Sequence, residues 1–141
     1  MKNQHTATLA GYEIPRLGMG TMALAIEGRP TNRNQAIETI HAALDAGVRY
    51  LDTAWSYYLP SKPGTGEPED MGYGEYLVRD ALNSWHGPKD EVLVATKTGW
   101  LRTLDNHGNY SWQADARPET MIANAKESAR RLGVETLDLL Y

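Results

Sequence analysis

Cysteine is absent from all 141 residues. That excludes disulfides, thiolate metal ligands and iron–sulfur ligation, and it agrees with a reducing compartment. Long apolar runs are missing too. No segment approaches the ~20 apolar residues needed to cross a bilayer, and the start, MKNQHTATLAG, lacks the apolar centre of a signal peptide. A soluble cytoplasmic protein, without a membrane partner, is the expectation. Positive charge is not grouped either: the fourteen Lys and Arg are scattered through a chain of net charge −4. No basic stripe is available to neutralise a phosphate backbone, so nucleic acid is not expected as a partner. His5, His41, His86 and His107 are dispersed, none three or four residues from another, and no metal is expected.

What is present suffices for one domain. The length falls inside the usual ~100 to 200 residues, and 41% hydrophobic residues can supply a core. Periodicity divides the chain into alternating elements. ATLAGYEIPRLGMG reads as a hairpin around Gly11 followed by a brief strand near Leu17 to Gly20. Thr31 caps an expected helix through Asp45, with Ile37, Ile40, His41 and Leu44 on one stripe and Gly47 as its stop. VRYLDT is the next strand. A helix follows from about Gly74 to Trp85, burying Leu77, Val78, Ala81, Leu82 and Trp85, and EVLVATK is the strand after it.

A polar loop is then expected through Asn109, before a helix that opens at Pro118 and ends at Gly133. Its apolar stripe is Met121, Ile122, Ala125, Ala129 and Leu132, and LDLLY begins a further strand. Strands alternating with helices indicate a parallel sheet built from crossover units.

Two parallel architectures compete for this pattern. Gly18, Gly20 and Ala23 satisfy the G-x-G-x-x-A fingerprint of a doubly wound dinucleotide-binding sheet. The context is wrong for it, because Pro15 precedes the motif and Gly28 and Pro30 delay the helix whose amino end should face a pyrophosphate. In a (β/α) barrel, function gathers instead at the carboxyl ends of strands. Asp52, Tyr57 and Lys97 all lie there. Singly, each has an ordinary explanation: a turn aspartate, a core aromatic, a lysine reaching to solvent. Together they form a chemical set. A free phenol has a pKa near ~10, an adjacent ammonium favours phenolate, and a carboxylate holds the ammonium charged and in place.

At this point the motifs carry a resemblance. LGMGTM, YLDTAWSY, GEYLVRDAL, VATK and ESARRLGVETLDLLY, in this order, are similar to the amino-terminal half of an aldo-keto reductase, from about Gly11 to Tyr141. The resemblance implies an α/β fold of the (β/α)8 TIM-barrel type, with an amino-terminal hairpin plugging its bottom. It implies NADP-dependent reduction of aldehydes and ketones, with NADPH as the usual cofactor and NAD left open. Tyr57 would be the proton donor, Lys97 its cationic partner and Asp52 the carboxylate that holds the lysine. Gly20, Thr21 and Met22, with Asp52, would lie at the cofactor. Tyr58 is the rival donor, but the family spacing of five after the aspartate selects Tyr57. Trp55 and Trp100 are candidates for the substrate pocket, and Tyr110 and Trp112 for further wall.

Departures from the family pattern are also visible. LPSKPGTGEPEDMGYGE replaces a shorter turn, so that Glu75 matches the family's helix-start glutamate only after an insertion, and this loop should border the substrate mouth. Four strands and three helices make about half of the eight strand-helix units of a complete barrel of ~250 residues. Residues 1–141 are therefore expected to be a single partial domain, a fragment with little activity alone. The family's catalytic histidine and cofactor-phosphate loops would lie beyond Tyr141. A noncatalytic regulatory subunit of the same fold, or a half barrel self-associating through exposed sheet edges, are the alternatives.

Overall fold

The computed structural model describes residues 6–25, 32–58 and 70–141. Strands β1 (Thr6–Leu9) and β2 (Tyr12–Pro15) form the expected antiparallel hairpin, with Leu9 opposite Tyr12. Ala10 and Gly11 both have positive φ, 49° and 85°. Two-residue turns of this hand match the natural twist of the flanking strands.

Four short strands then build one parallel sheet in the order β3 (Met19–Gly20), β4 (Tyr50–Asp52), β5 (Leu93–Thr96) and, after a separate hairpin, β8 (Leu139–Leu140). Helices α1 (Arg33–Asp45), α2 (Tyr73–Ser84) and α3 (Pro118–Leu132) connect them in turn. This is half of a (β/α)8 barrel, with the expected hairpin at its start. No helix among the described residues is long and apolar enough to cross a membrane.

The helices follow from local sequence. Thr31, the expected cap of α1, lies outside the described residues; the Asn32 side chain accepts the Gln35 N–H at 3.2 Å and closes the first turn. Ile40 and Leu44 are fully buried as their spacing requires, joined by Ala36. His41 Nε2 lies 2.8 Å from the Ala81 carbonyl, tying α1 to α2. On α2 the buried face is Leu77, Val78 and Ala81, continued by Trp85, whose indole N–H donates to Asp45 at 2.8 Å.

Side chains on a strand alternate between its faces. Leu51 joins the helix-facing core with Ile40, Leu77 and Val78, whereas Leu93 and Ala95 pack against Ile14 of the hairpin, with Tyr50 beside them. Tyr12 of the hairpin donates to Asp138 at 3.0 Å, and the other oxygen of Asp138 accepts the Val94 N–H at 3.0 Å. The hairpin thereby covers the inner face of the sheet.

Two sequence expectations are corrected. The supposed polar loop after Lys97 is an antiparallel hairpin, β6 (Trp100–Leu104) with β7 (Tyr110–Ala114). Its turn is built by Asp105, whose carboxylate accepts the N–H groups of His107 and Asn109, both at 2.8 Å, ahead of Gly108 at φ +79°. An aspartate binding backbone two and four residues on makes a tight turn that polarity alone does not disclose.

The buried face of α3 is the second correction. Ile122 is 56% exposed, while Asn124, Ser128 and Arg131 are buried beside Leu132. Arg131 faces inward because it meets a buried carboxylate there. Gly133, at φ +74°, ends the helix as expected.

Candidate active site

Strand alternation assembles the site. Asp52, two residues after Tyr50 on β4, shares its inner face and is in register with Ala95 on β5; Lys97, two residues past Ala95, emerges on the same side. Lys97 Nζ forms an ion pair with Asp52, donates to the Thr53 carbonyl at 2.7 Å and donates to the Tyr57 hydroxyl at 3.3 Å. Nζ also lies 5.1 Å from the Tyr57 ring centroid. Asp52, Tyr57 and Lys97 are thus brought together. The side chains of Lys97 and Asp52 retain 36% and 24% exposure, so the cluster opens to the outside at the strand ends.

Tyr57 is held by its backbone. Its N–H donates to the Ala54 carbonyl at 3.2 Å, and its own carbonyl accepts the N–H groups of Gly72 at 3.1 Å and Gly74 at 3.3 Å. The start of α2 comes so near that a Cβ on Gly74 would lie 2.9 Å from both Thr53 Oγ1 and Tyr57 Cβ. Tyr58 points elsewhere. It is buried, its ring centroid is 5.8 Å from that of Trp112, and the Arg102 guanidinium lies 5.7 Å from its ring and 5.0 Å from that of Trp112. This packing anchors the β6–β7 hairpin to the sheet.

A second phenol flanks Asp52. The Tyr50 hydroxyl lies 3.5 Å from Asp52 Oδ2. Its pKa is raised well above the ordinary tyrosine value, by burial first, then by a hydrogen bond with Tyr141 and the negative charge of Asp52. One carboxylate therefore stands between a phenol that resists ionisation and a phenol that faces an ammonium.

Gly20 is in register with Asp52, and a Cβ placed on it would meet nothing within 4 Å. Thr21 is fully buried, and both its N–H (2.9 Å) and its hydroxyl (3.0 Å) donate to the Asp52 carbonyl. Met22 is 49% exposed. The fingerprint glycine Gly18 serves packing, since a Cβ there would lie 2.2 Å from Tyr50 Cδ1. Directly after the motif, residues 22–24 form only a single 3-10 turn.

Trp55 turns toward α3, its ring 5.1 Å from the Arg131 guanidinium, while its backbone N–H donates to the Lys97 carbonyl at 2.9 Å. Trp100 is more than half exposed at the start of β6, and Trp112 packs on Tyr58; the side chain of Tyr110 lies outside the described residues.

Sequence reasoning matched Glu75 to the family's helix-start glutamate but missed the buried group it forms behind this cluster. Glu75 is fully buried; its Oε1 accepts from the Thr96 hydroxyl at 2.7 Å and its Oε2 from Arg131 Nη1 at 3.2 Å. The available signal was the place of Glu75 between Gly74 and Leu77, on the same face of α2 as Val78.

Comparison with known proteins shows the family. Residues 16–141 match the model of the aldo/keto reductase family. A D-threo-aldose 1-dehydrogenase from a Pseudomonas species is 33% identical over 150 residues, covering 96% of this chain and 41% of that protein. An aldo-keto reductase from Bacillus subtilis is 32% identical over 130 residues, covering 92% of this chain and 34% of its own length. Among solved structures, a glycerol dehydrogenase from Gluconobacter oxydans superimposes with a TM-score of 0.76 at 29% identity, covering 99% of this chain and 39% of that one. The chain thus spans about two fifths of the length of the proteins it matches.

Proposed function

This chain belongs to the aldo/keto reductase family, and on that basis we propose that the cluster at the ends of β4 and β5 reduces aldehyde or ketone carbonyls to alcohols. Tyr57 donates the proton. The observation that carries this reading is the 3.3 Å approach of Lys97 Nζ to the Tyr57 hydroxyl, with Asp52 on the other side of the ammonium. Lys97 holds the phenol oxygen and stabilises the negative charge left there when the proton moves to the carbonyl oxygen. Asp52 keeps Lys97 charged and aimed.

Two features of the rim support a nicotinamide cofactor: a Cβ on Gly20 would meet nothing within 4 Å, and the neighbouring Asp52 and Lys97 are part-exposed. When bound, NADPH would supply the hydride. Gly20, Met22 and Asp52 are the residues that would hold it, while Thr21 acts from behind by fixing the Asp52 carbonyl.

The names carried by two of the matched proteins, an aldose dehydrogenase and a glycerol dehydrogenase, favour small polyhydroxylated carbonyl compounds for a first screen. The test is NADPH oxidation by the intact protein across a panel of aldoses, glyceraldehyde and simple ketones. Turnover of at least one is expected. Silence across the panel, together with no change in NADPH fluorescence on titration with protein, would overturn the reading.

A further inference from the structure

We propose that the buried Glu75–Arg131 ion pair is the positioning element that sets the distance between Lys97 and Tyr57. The inference rests on the reading of those two residues as the proton-delivering pair. It assigns work to a group that touches none of the reacting atoms.

Glu75 is fully buried and Arg131 is only 7% exposed. A carboxylate in such a place is retained only when its oxygens are partnered. Both are: Thr96 Oγ1 reaches Oε1 at 2.7 Å and Arg131 Nη1 reaches Oε2 at 3.2 Å. Arg131 Nη1 also donates to the Trp55 carbonyl at 3.4 Å. Space for the guanidinium exists because Gly72, at φ +86°, carries no side chain; a Cβ there would lie 2.4 Å from Arg131 Cζ.

The attachments of this pair are what make it a positioning device. Thr96 immediately precedes Lys97 on β5. Trp55 lies between Asp52 and Tyr57, and its backbone N–H donates to the Lys97 carbonyl at 2.9 Å. Glu75 itself belongs to the first turn of α2, whose neighbouring N–H groups on Gly72 and Gly74 hold the Tyr57 carbonyl. One ion pair therefore joins the two backbone segments that carry Asp52, Tyr57 and Lys97 to the start of α2, which holds the Tyr57 carbonyl. Apolar side chains would fill the same volume but would leave the relative placement of the segments unspecified, whereas a two-oxygen acceptor fixes direction as well as proximity.

Removing one partner strands the other charge, so the test removes both. Glu75→Leu combined with Arg131→Met keeps volume without charge, and Thr96→Val removes one attachment only. Each is made with and without Tyr57→Phe. The difference in phenolate absorbance between each background and its Tyr57→Phe counterpart then reports ionisation of that one phenol, with no cofactor needed.

The expected result is a folded double variant with kcat lowered roughly 10- to 100-fold, the scale of catalytic misplacement by about 1 Å. KM should change little, and the phenolate absorbance assigned to Tyr57 should differ from that of the parent across the same pH series. Thr96→Val should shift both readouts the same way by less. A double variant with parental kcat and parental phenol titration would overturn the inference. If it does not fold, Thr96→Val decides by the same two readouts. Retained turnover in Tyr57→Phe alone would instead sink the proton-donor reading, and the phenol titration would still decide whether the pair governs the Lys97–Tyr57 approach.

Discussion

Lys97 Nζ stands 3.3 Å from the Tyr57 hydroxyl and directs its other hydrogens to Asp52 and the Thr53 carbonyl. An ammonium has three donors and no acceptor. The phenol oxygen must therefore accept from Lys97, which leaves the phenol's own hydrogen to point elsewhere. A carbonyl oxygen arriving at the open rim would find a donor already oriented.

Replacement of Tyr57 by Phe removes that hydrogen and little else. Positioned general acids contribute about 10²- to 10⁴-fold, so kcat for carbonyl reduction should fall on that scale, with NADPH affinity preserved in a fluorescence titration. Unchanged turnover would end the assignment.

Lys97→Met tests the electrostatic half of the arrangement. Without the ammonium, the phenol oxygen loses its donor at 3.3 Å and the charge that would stabilise it as the proton leaves, so kcat should fall while KM changes little. A parental kcat would mean the ammonium does not govern the phenol.

Gly74→Ala opposes two effects of known sign. Helix propensity favours Ala over Gly by roughly 0.5–1 kcal/mol, yet the new methyl would lie 2.9 Å from Thr53 Oγ1 and Tyr57 Cβ. Overpacking of this kind costs about 1–3 kcal/mol. Net destabilisation in thermal unfolding, with a loss of kcat exceeding any change in KM, is the expected outcome; a stabilised and fully active variant would show that the turn holding Tyr57 yields easily.

Acid should loosen the β6–β7 hairpin before the sheet. The pKa of Asp105 is lowered by backbone N–H bonds from Asn109 and His107, and that of Asp115 by its hydrogen bonds with Arg117. A folded-state pKa below the unfolded value of ~3.9 means the stabilisation is fully present above that value and is lost as pH falls through the folded one. Amide exchange in residues 100–114 should accelerate below about pH 4, and Asp105→Asn should remove part of the pH dependence. Exchange that is flat across that window would refute it.

Much of this was legible in one dimension. The buried faces of α1 and α2 followed from the spacing of Ile40, Leu44, Leu77, Val78 and Ala81, because a helix in water must turn its apolar stripe inward. The proximity of Asp52 and Lys97 followed from their common position at the ends of adjacent parallel strands. The β6–β7 hairpin was missed because polar Arg102, Thr103, Ser111 and Gln113 interrupt its short strands and its turn depends on one aspartate binding backbone. The inward face of α3 was missed because Asn124, Ser128 and Arg131 read as solvent-facing on any hydrophobic pattern.

The sequence alone determined the order of the first hairpin, the parallel strands and the helices, and the presence of a phenol, an ammonium and a carboxylate at strand ends, since both depend on spacing along the chain. Only the tertiary structure decided that Tyr57 meets Lys97 while Tyr58 turns to Trp112, and that Glu75 and Arg131 meet in the interior. Those outcomes depend on partners tens of residues away. A charged side chain becomes a core residue only where the fold delivers its counter-ion.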